Sequence, residues 1–194
     1  MAGVVDGRVR QSFWNLPNTL TVLRIFLVPV MVALLWVEPT PIENVICCLI
    51  FVGAMITDVV DGWLARRWNL TSPVGAYLDP LADKLMVITV LIMLIPLGRV
   101  DAWLVALLLC RELAITALRG IASQEGIVMA AETLGKLKTS YQATAIGMLL
   151  WHNRQFGIDV HSAGTVTLWI ATVFAVVSGI QYFVDFFRKT TVVA

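Results

Sequence analysis

Charge is the scarcest commodity in this sequence. Asp, Glu, Lys and Arg make up 14% of its 194 residues, against about 25% in a typical soluble domain. The 14 basic and 13 acidic residues nearly cancel to a formal +1. No global field exists to draw in nucleic acid, and that class of partner is excluded. There are three cysteines, Cys47, Cys48 and Cys110. Two are adjacent and all three sit in apolar runs, which argues against a disulfide framework. Histidine is limited to His152 and His161, near the non-cytoplasmic side of the topology below and at a spacing without metal-ligand logic. Linkers, low-complexity tracts and internal repeats are also missing, so one helical domain suffices.

Apolar residues fill the place of charge. They make up 59% of the chain, and the mean hydropathy is +0.84. Soluble domains carry about 45–50% apolar residues, so the excess is more than one buried core can absorb. The sequence reads as an all-α, polytopic membrane protein. A spanning helix needs about 20 mostly apolar residues, and six stretches meet or approach that length: 19–37, 43–62, 79–97, 101–122, 134–152 and 164–187. Pro39, Pro41, Pro73, Gly75, Pro96, Gly98, Gly126 and Gly157 punctuate the breaks. Residues 1–18 form an N-terminal segment and 19–190 the membrane domain. The segment carries Phe13, Trp14 and two arginines, and is either a short helix lying along the interface or a basic tail.

Basic residues set the orientation. Arg8, Arg10, Arg66, Arg67, Arg119, Lys136, Lys138, Arg188 and Lys189 fall on one side of the six spans, and Arg99 and Arg154 on the other. The positive-inside rule puts both termini in the cytoplasm. The first apolar run is too long for a signal-peptide core and stays as helix one.

Ionisable residues inside apolar spans carry the most information, because each costs roughly 2.5–3.5 kcal/mol on insertion scales. Arg24, Asp58, Asp61, Asp79, Asp83, Lys84, Arg111, Glu112 and Asp185 all fall in or near the cytoplasmic halves of their spans. Asp58 and Asp61 are three apart, and Asp79 and Asp83 four apart, so each pair shares a helix face. Four aspartates converging in a low-dielectric site stay ionised only if cations neutralise them. Two divalent ions balance the charge. An all-oxygen donor set selects Mg²⁺ or Mn²⁺ over zinc, and paired metals on carboxylates suit in-line phosphoryl displacement. A cation channel or carrier also uses intramembrane carboxylates. Between the pairs, however, Gly62, Ala65 and Gly75 admit a bulky group close to the backbone, and Arg66 can grip a phosphate bidentately. A pore needs no arginine there.

In order these residues read Asp58-Val-Val-Asp61-Gly62-Trp-Leu-Ala65-Arg66, eight residues, then Gly75-Ala-Tyr-Leu-Asp79-Pro-Leu-Ala-Asp83. The pattern resembles the signature of the CDP-alcohol phosphatidyltransferase family at all eight of its fixed positions. Three further segments resemble the members of that family that use glycerol 3-phosphate: Leu16-Pro17-Asn18-Thr19-Leu20-Thr21-Val22-Leu23-Arg24, Arg111-Glu112, and Gly135-Lys136-Leu137-Lys138-Thr139.

The resemblance implies a six-helix membrane enzyme, often a homodimer, that moves a phosphatidyl group from CDP-diacylglycerol to an alcohol and releases CMP. It implies that Asp58, Asp61, Asp79 and Asp83 hold the two metals, that Gly62, Ala65, Arg66 and Gly75 receive the CDP moiety, and that Asp83 is the general base. The acceptor it implies is sn-glycerol 3-phosphate, a dianion that needs cations of its own. Arg111, Arg119, Lys136 and Lys138, at the cytoplasmic ends of spans four and five, are the candidates. Arg111 beside Glu112 also reads as a paired structural charge, and Arg119 and the lysines as positive-inside residues. Inositol phosphate, serine and phosphatidylglycerol are the alternative acceptors, and a divalent-cation carrier is the alternative from another class. The compact chain points to a bacterial inner membrane.

Overall fold

The computed structural model describes residues 4–5, 8–9, 16–68, 73–125, 133–152, 154–155 and 158–193, with side chains in 19–60, 67, 81–125, 133–152 and 159–190. Two two-residue strands, β1 (Val4–Val5) and β2 (Arg8–Val9), pair antiparallel near the start. A second such pair joins β3 (Arg154–Gln155) to β4 (Ile158–Asp159). Everything else regular is helix: α1 Leu16–Leu35, α2 Pro41–Trp68, α3 Pro73–Leu94, α4 Ala102–Gln124, α5 Thr133–Trp151 and α6 Val160–Val193. The six helices fall on the six apolar stretches. Residues 4–5 and 8–9 are a strand pair and not part of an interfacial helix; residues 10–15, where Phe13 and Trp14 lie, are outside the described residues.

Among the described residues, Pro41–Val60 and Val160–Thr190 are long and apolar enough to cross a membrane, and Thr19–Leu35 is a shorter apolar helix. The outward face of α6 fits a hydrocarbon solvent. Val166, Ile170, Val173, Val177, Ile180, Val184 and Phe187 recur every three or four residues and all are exposed.

Local chemistry explains the helix ends. Pro41 opens α2 at the position where a missing N–H costs nothing. Just before it, Thr40 and Glu43 form a capping box: the Thr40 amide and hydroxyl donate to Glu43 Oε2 at 2.7 and 2.9 Å, and the Glu43 amide donates to Thr40 Oγ at 3.3 Å. The 28 residues of α2 rise about 42 Å at 1.5 Å per residue. That exceeds a hydrocarbon core of about 30 Å, so the end from Asp61 to Trp68 lies past the apolar stretch Pro41–Val60, with Asp58 just inside it. After α3 the chain turns through Gly98 at φ +66°, a left-handed conformation that favours glycine. At the start of α6, Asp159 accepts from the His161 amide and the Ser162 hydroxyl.

The chain divides into two compact units, residues 1–93 and 94–194. In the first, α1 packs on α2, and Met31, Leu35, Cys47, Phe51 and Ala54 are buried. On α3 the buried positions Ala82, Met86 and Val90 repeat every four residues. In the second, α6 carries both α4 and α5. Gly164 marks the closest crossing with α5, since a Cβ there would stand 3.0 Å from Met148 Cβ. Arg99 is buried and donates to the Leu149 and Leu150 carbonyls at 3.3 and 3.5 Å. A cation thereby meets the negative end of α5. Beside it, the His152 and His161 rings pack edge-on with centroids 4.8 Å apart.

Candidate active site

In the first unit, Arg24 on α1 is 2% exposed and its Nη1 donates to Asp58 Oδ1 on α2 at 2.6 Å. A buried guanidinium in apolar surroundings needs such a partner. Among the described residues the pairing engages Oδ1 alone of the two carboxylate oxygens. A cavity of about 220 Å³ opens between α1 and α2, walled by Leu20, Leu23, Leu27, Leu49 and Ile50, with Arg24 on its lining. Asp83 lies half-buried on α3.

The remaining signature positions are on helical backbone: Asp61, Gly62, Ala65 and Arg66 in α2, Gly75 and Asp79 in α3. Their side chains lie outside the described residues. Among the described residues no group of three His, Cys, Asp or Glu could hold a metal. Asp58 and Asp83 present hard oxygen donors only, a chemistry that fits a hard divalent cation.

The second unit gathers cations around one acid. Glu112 on α4 receives Arg111 Nη1 at 3.1 Å and also pairs with Lys138 Nζ from α5. Lys138 is buried, and a buried ammonium group needs such a counter-charge. Arg111 is fixed on three sides. Besides Glu112, its Nε donates to the Ala175 carbonyl at 3.0 Å and its Nη2 to Ser178 Oγ at 2.6 Å, both on α6. Gly179 lets the arginine stem lie flat on α6, since a Cβ there would sit 3.4 Å from Arg111 Cγ. Two turns along α4, the exposed Arg119 donates from Nη2 to Tyr182 Oη at 2.6 Å.

Of the four basic residues expected to act together, Arg111 and Lys138 meet through Glu112. Arg119 is tied to the same helix α6, and Lys136 is exposed on another face of α5. The sequence reading missed Ser178 and Tyr182. Both are buried and find their polar partners only through the packing of α6 on α4, which the sequence does not show.

The family model described as CDP-alcohol phosphatidyltransferase matches residues 14–177. The chain belongs to the CDP-alcohol phosphatidyltransferase family. It is 39% identical over 181 residues to the CDP-diacylglycerol–glycerol-3-phosphate 3-phosphatidyltransferase of Bacillus subtilis, covering 88% of this chain and 94% of the relative. The protein of the same name from Rickettsia bellii is 36% identical over 170 residues, 87% of this chain and 93% of its own length. A probable phosphatidylglycerophosphate synthase of Mycobacterium tuberculosis is 37% identical over 182 residues, covering 93% and 84%. For a CDP-alcohol phosphatidyltransferase, the division of charge seen here is chemically apt. An acidic signature on α2 and α3 suits cations and the diphosphate they bind, and a basic cluster on α4 and α5 suits an anionic acceptor.

Proposed function

We propose that this chain transfers the phosphatidyl group of CDP-diacylglycerol to sn-glycerol 3-phosphate, giving phosphatidylglycerophosphate and CMP. Similarity along nearly the whole chain to relatives bearing that activity in their names carries the reading. The unbroken signature from Asp58 to Asp83 supports it.

The acceptor hydroxyl oxygen attacks the phosphorus that bears diacylglycerol. A new P–O bond forms there as the bond to CMP breaks, and CMP departs with the bonding electrons. Asp58, Asp61, Asp79 and Asp83 hold two divalent cations, Mg²⁺ or Mn²⁺, which when bound neutralise charge on the diphosphate. Gly62, Ala65 and Gly75 leave room for the CDP moiety, and Arg66 binds its phosphate. Arg24 fixes the Asp58 carboxylate by one oxygen and so sets which way the other faces. Asp83 takes the proton of the attacking hydroxyl. Lys138, Arg111, Arg119 and Lys136 supply positive charge to the acceptor phosphate.

In the membrane the six helices act as six spans of one domain, residues 19–190, with both termini and the site on the cytoplasmic side of a bacterial inner membrane. The donor's acyl chains then stay in the leaflet while the acceptor arrives from the cytoplasm, and the protein works as a homodimer.

The test is CMP release by the purified protein in detergent, with CDP-diacylglycerol and one acceptor at a time, with and without divalent metal. Release that needs both metal and glycerol 3-phosphate is the expected result. Metal-dependent release with inositol phosphate, serine or phosphatidylglycerol instead would reject the acceptor. No release with any acceptor, together with metal flux in liposomes, would reject the enzyme. In the same assay Asp83→Asn should abolish turnover while CDP-diacylglycerol still binds; near-normal turnover would remove Asp83 as the base.

A further inference from the structure

An exposed arginine is ordinarily free to sample many rotamers, and a site that relies on one must order it at each encounter. Arg119 is exposed yet anchored. Its Nη2 donates to Tyr182 Oη at 2.6 Å, and its guanidinium carbon stands 5.0 Å from the centre of the Tyr182 ring. The post itself is rigid: Tyr182 is 2% exposed and packed with Ile115, Leu118 and Phe186. A phenylalanine would fill that apolar slot equally well, so the hydroxyl has a use beyond packing. One helical turn earlier Ser178, fully buried, accepts from Arg111 Nη2 and donates to the Ala175 carbonyl at 3.2 Å.

The two arginines differ in what they have left to offer. Arg111 has given three of its five N–H groups to Glu112, Ala175 and Ser178. Among the described residues Arg119 donates to the tyrosine alone, and it is exposed with the rest of its fork.

We propose that Tyr182 is the positioning residue of the acceptor site, its hydroxyl holding the Arg119 guanidinium ready for the acceptor's phosphate, with Ser178 serving Arg111 in the same way. This rests on the acceptor reading given above. Helix α6 is then the template that turns two cations of α4 into a preformed phosphate site, and selectivity for a phosphorylated acceptor depends on residues that do not touch it.

A double-mutant cycle tests this. Steady-state rates are measured in detergent for Arg119→Ala, Tyr182→Phe and the double variant, varying glycerol 3-phosphate and CDP-diacylglycerol separately. Tyr182→Phe should raise KM for glycerol 3-phosphate about five- to tenfold, the loss of one charge-assisted hydrogen bond, leaving kcat and the donor KM within about twofold. On the Arg119→Ala background it should add nothing. Ser178→Ala should raise the acceptor KM about threefold, less because Arg111 keeps two anchors. Two results overturn the proposal while leaving the acceptor reading intact: Arg119→Ala raises the acceptor KM but Tyr182→Phe does not, or the two effects multiply in the double variant. If Arg119→Ala itself leaves the acceptor KM unchanged, the acceptor role of Arg119 and the proposal fall together.

Discussion

Asp58 meets one buried arginine, whereas Glu112 meets two cations. Around Asp58 the first unit writes three more aspartates into α2 and α3, four carboxylates within 26 positions, with Arg24 paired to the first of them. Around Glu112 the second unit gathers Arg111 and Lys138, with Arg119 further along α4, and base outnumbers acid. Each region holds an internal ion pairing that makes its burial of charge tolerable. A run of hard carboxylates suits divalent cations and the diphosphate they bind. A surplus of guanidinium and ammonium asks for a phosphate. A two-substrate enzyme with one strongly anionic donor and one anionic acceptor needs both.

The largest expected effect comes from the acidic side. Asp61→Asn keeps the size of the side chain but removes one of the four negative charges proposed to hold the cations. CMP formation should fall by on the order of 10³-fold or more with glycerol 3-phosphate, and raising the acceptor concentration should not restore it. A variant that recovers at high acceptor would mean that the two regions are not separate in function.

The basic side should fail differently. Lys138→Ala leaves Glu112 paired with Arg111, so the fold keeps a counter-ion for the buried acid. KM for glycerol 3-phosphate should rise about 10- to 100-fold, consistent with losing a buried charge contact to a dianion, while KM for CDP-diacylglycerol stays put. Equal effects on both constants would mean that Lys138 only supports the packing of α5, and the contrast drawn between the regions would collapse.

The two regions also differ in how much of them the sequence discloses. The acidic region is legible because its residues sit within 26 positions on two successive helices, and helical periodicity alone puts Asp58 with Asp61 and Asp79 with Asp83. The six helices were legible for a similar reason: apolar stretches punctuated by proline and glycine. Arg24 was visible as an intramembrane charge, but its pairing with Asp58, 34 residues away, is a tertiary fact. The basic region was half legible. Arg111, Arg119 and Lys138 announce themselves as charges near span ends. Ser178 and Tyr182 do not, because a small hydroxyl and an aromatic ring are common in membrane helices and only packing of α6 on α4 gives them partners. Lys136 shows the limit from the other direction. It is two residues from Lys138, yet a helix turns about 200° over that interval, so similar neighbours in sequence face different surroundings.

The smallest expected effect separates chemistry from scaffold on a single helix. Helix α2 carries the capping box of Thr40 and Glu43 at one end and Asp58 and Asp61 at the other. Thr40→Ala removes the hydroxyl that accepts from the Glu43 amide and donates to its carboxylate, and leaves the signature untouched. The first turn of α2 should fray more easily, lowering the thermal midpoint in detergent by a few degrees at most. Both KM values and kcat should stay within about twofold, because the end of a helix affects distant residues only if the whole helix shifts, and the capped turn is some five turns from Asp58. A clear change in the donor KM would show that the cap sets the position of the signature along α2. The acidic region would then depend on the register of a whole helix, while the basic one depends on local contacts among three.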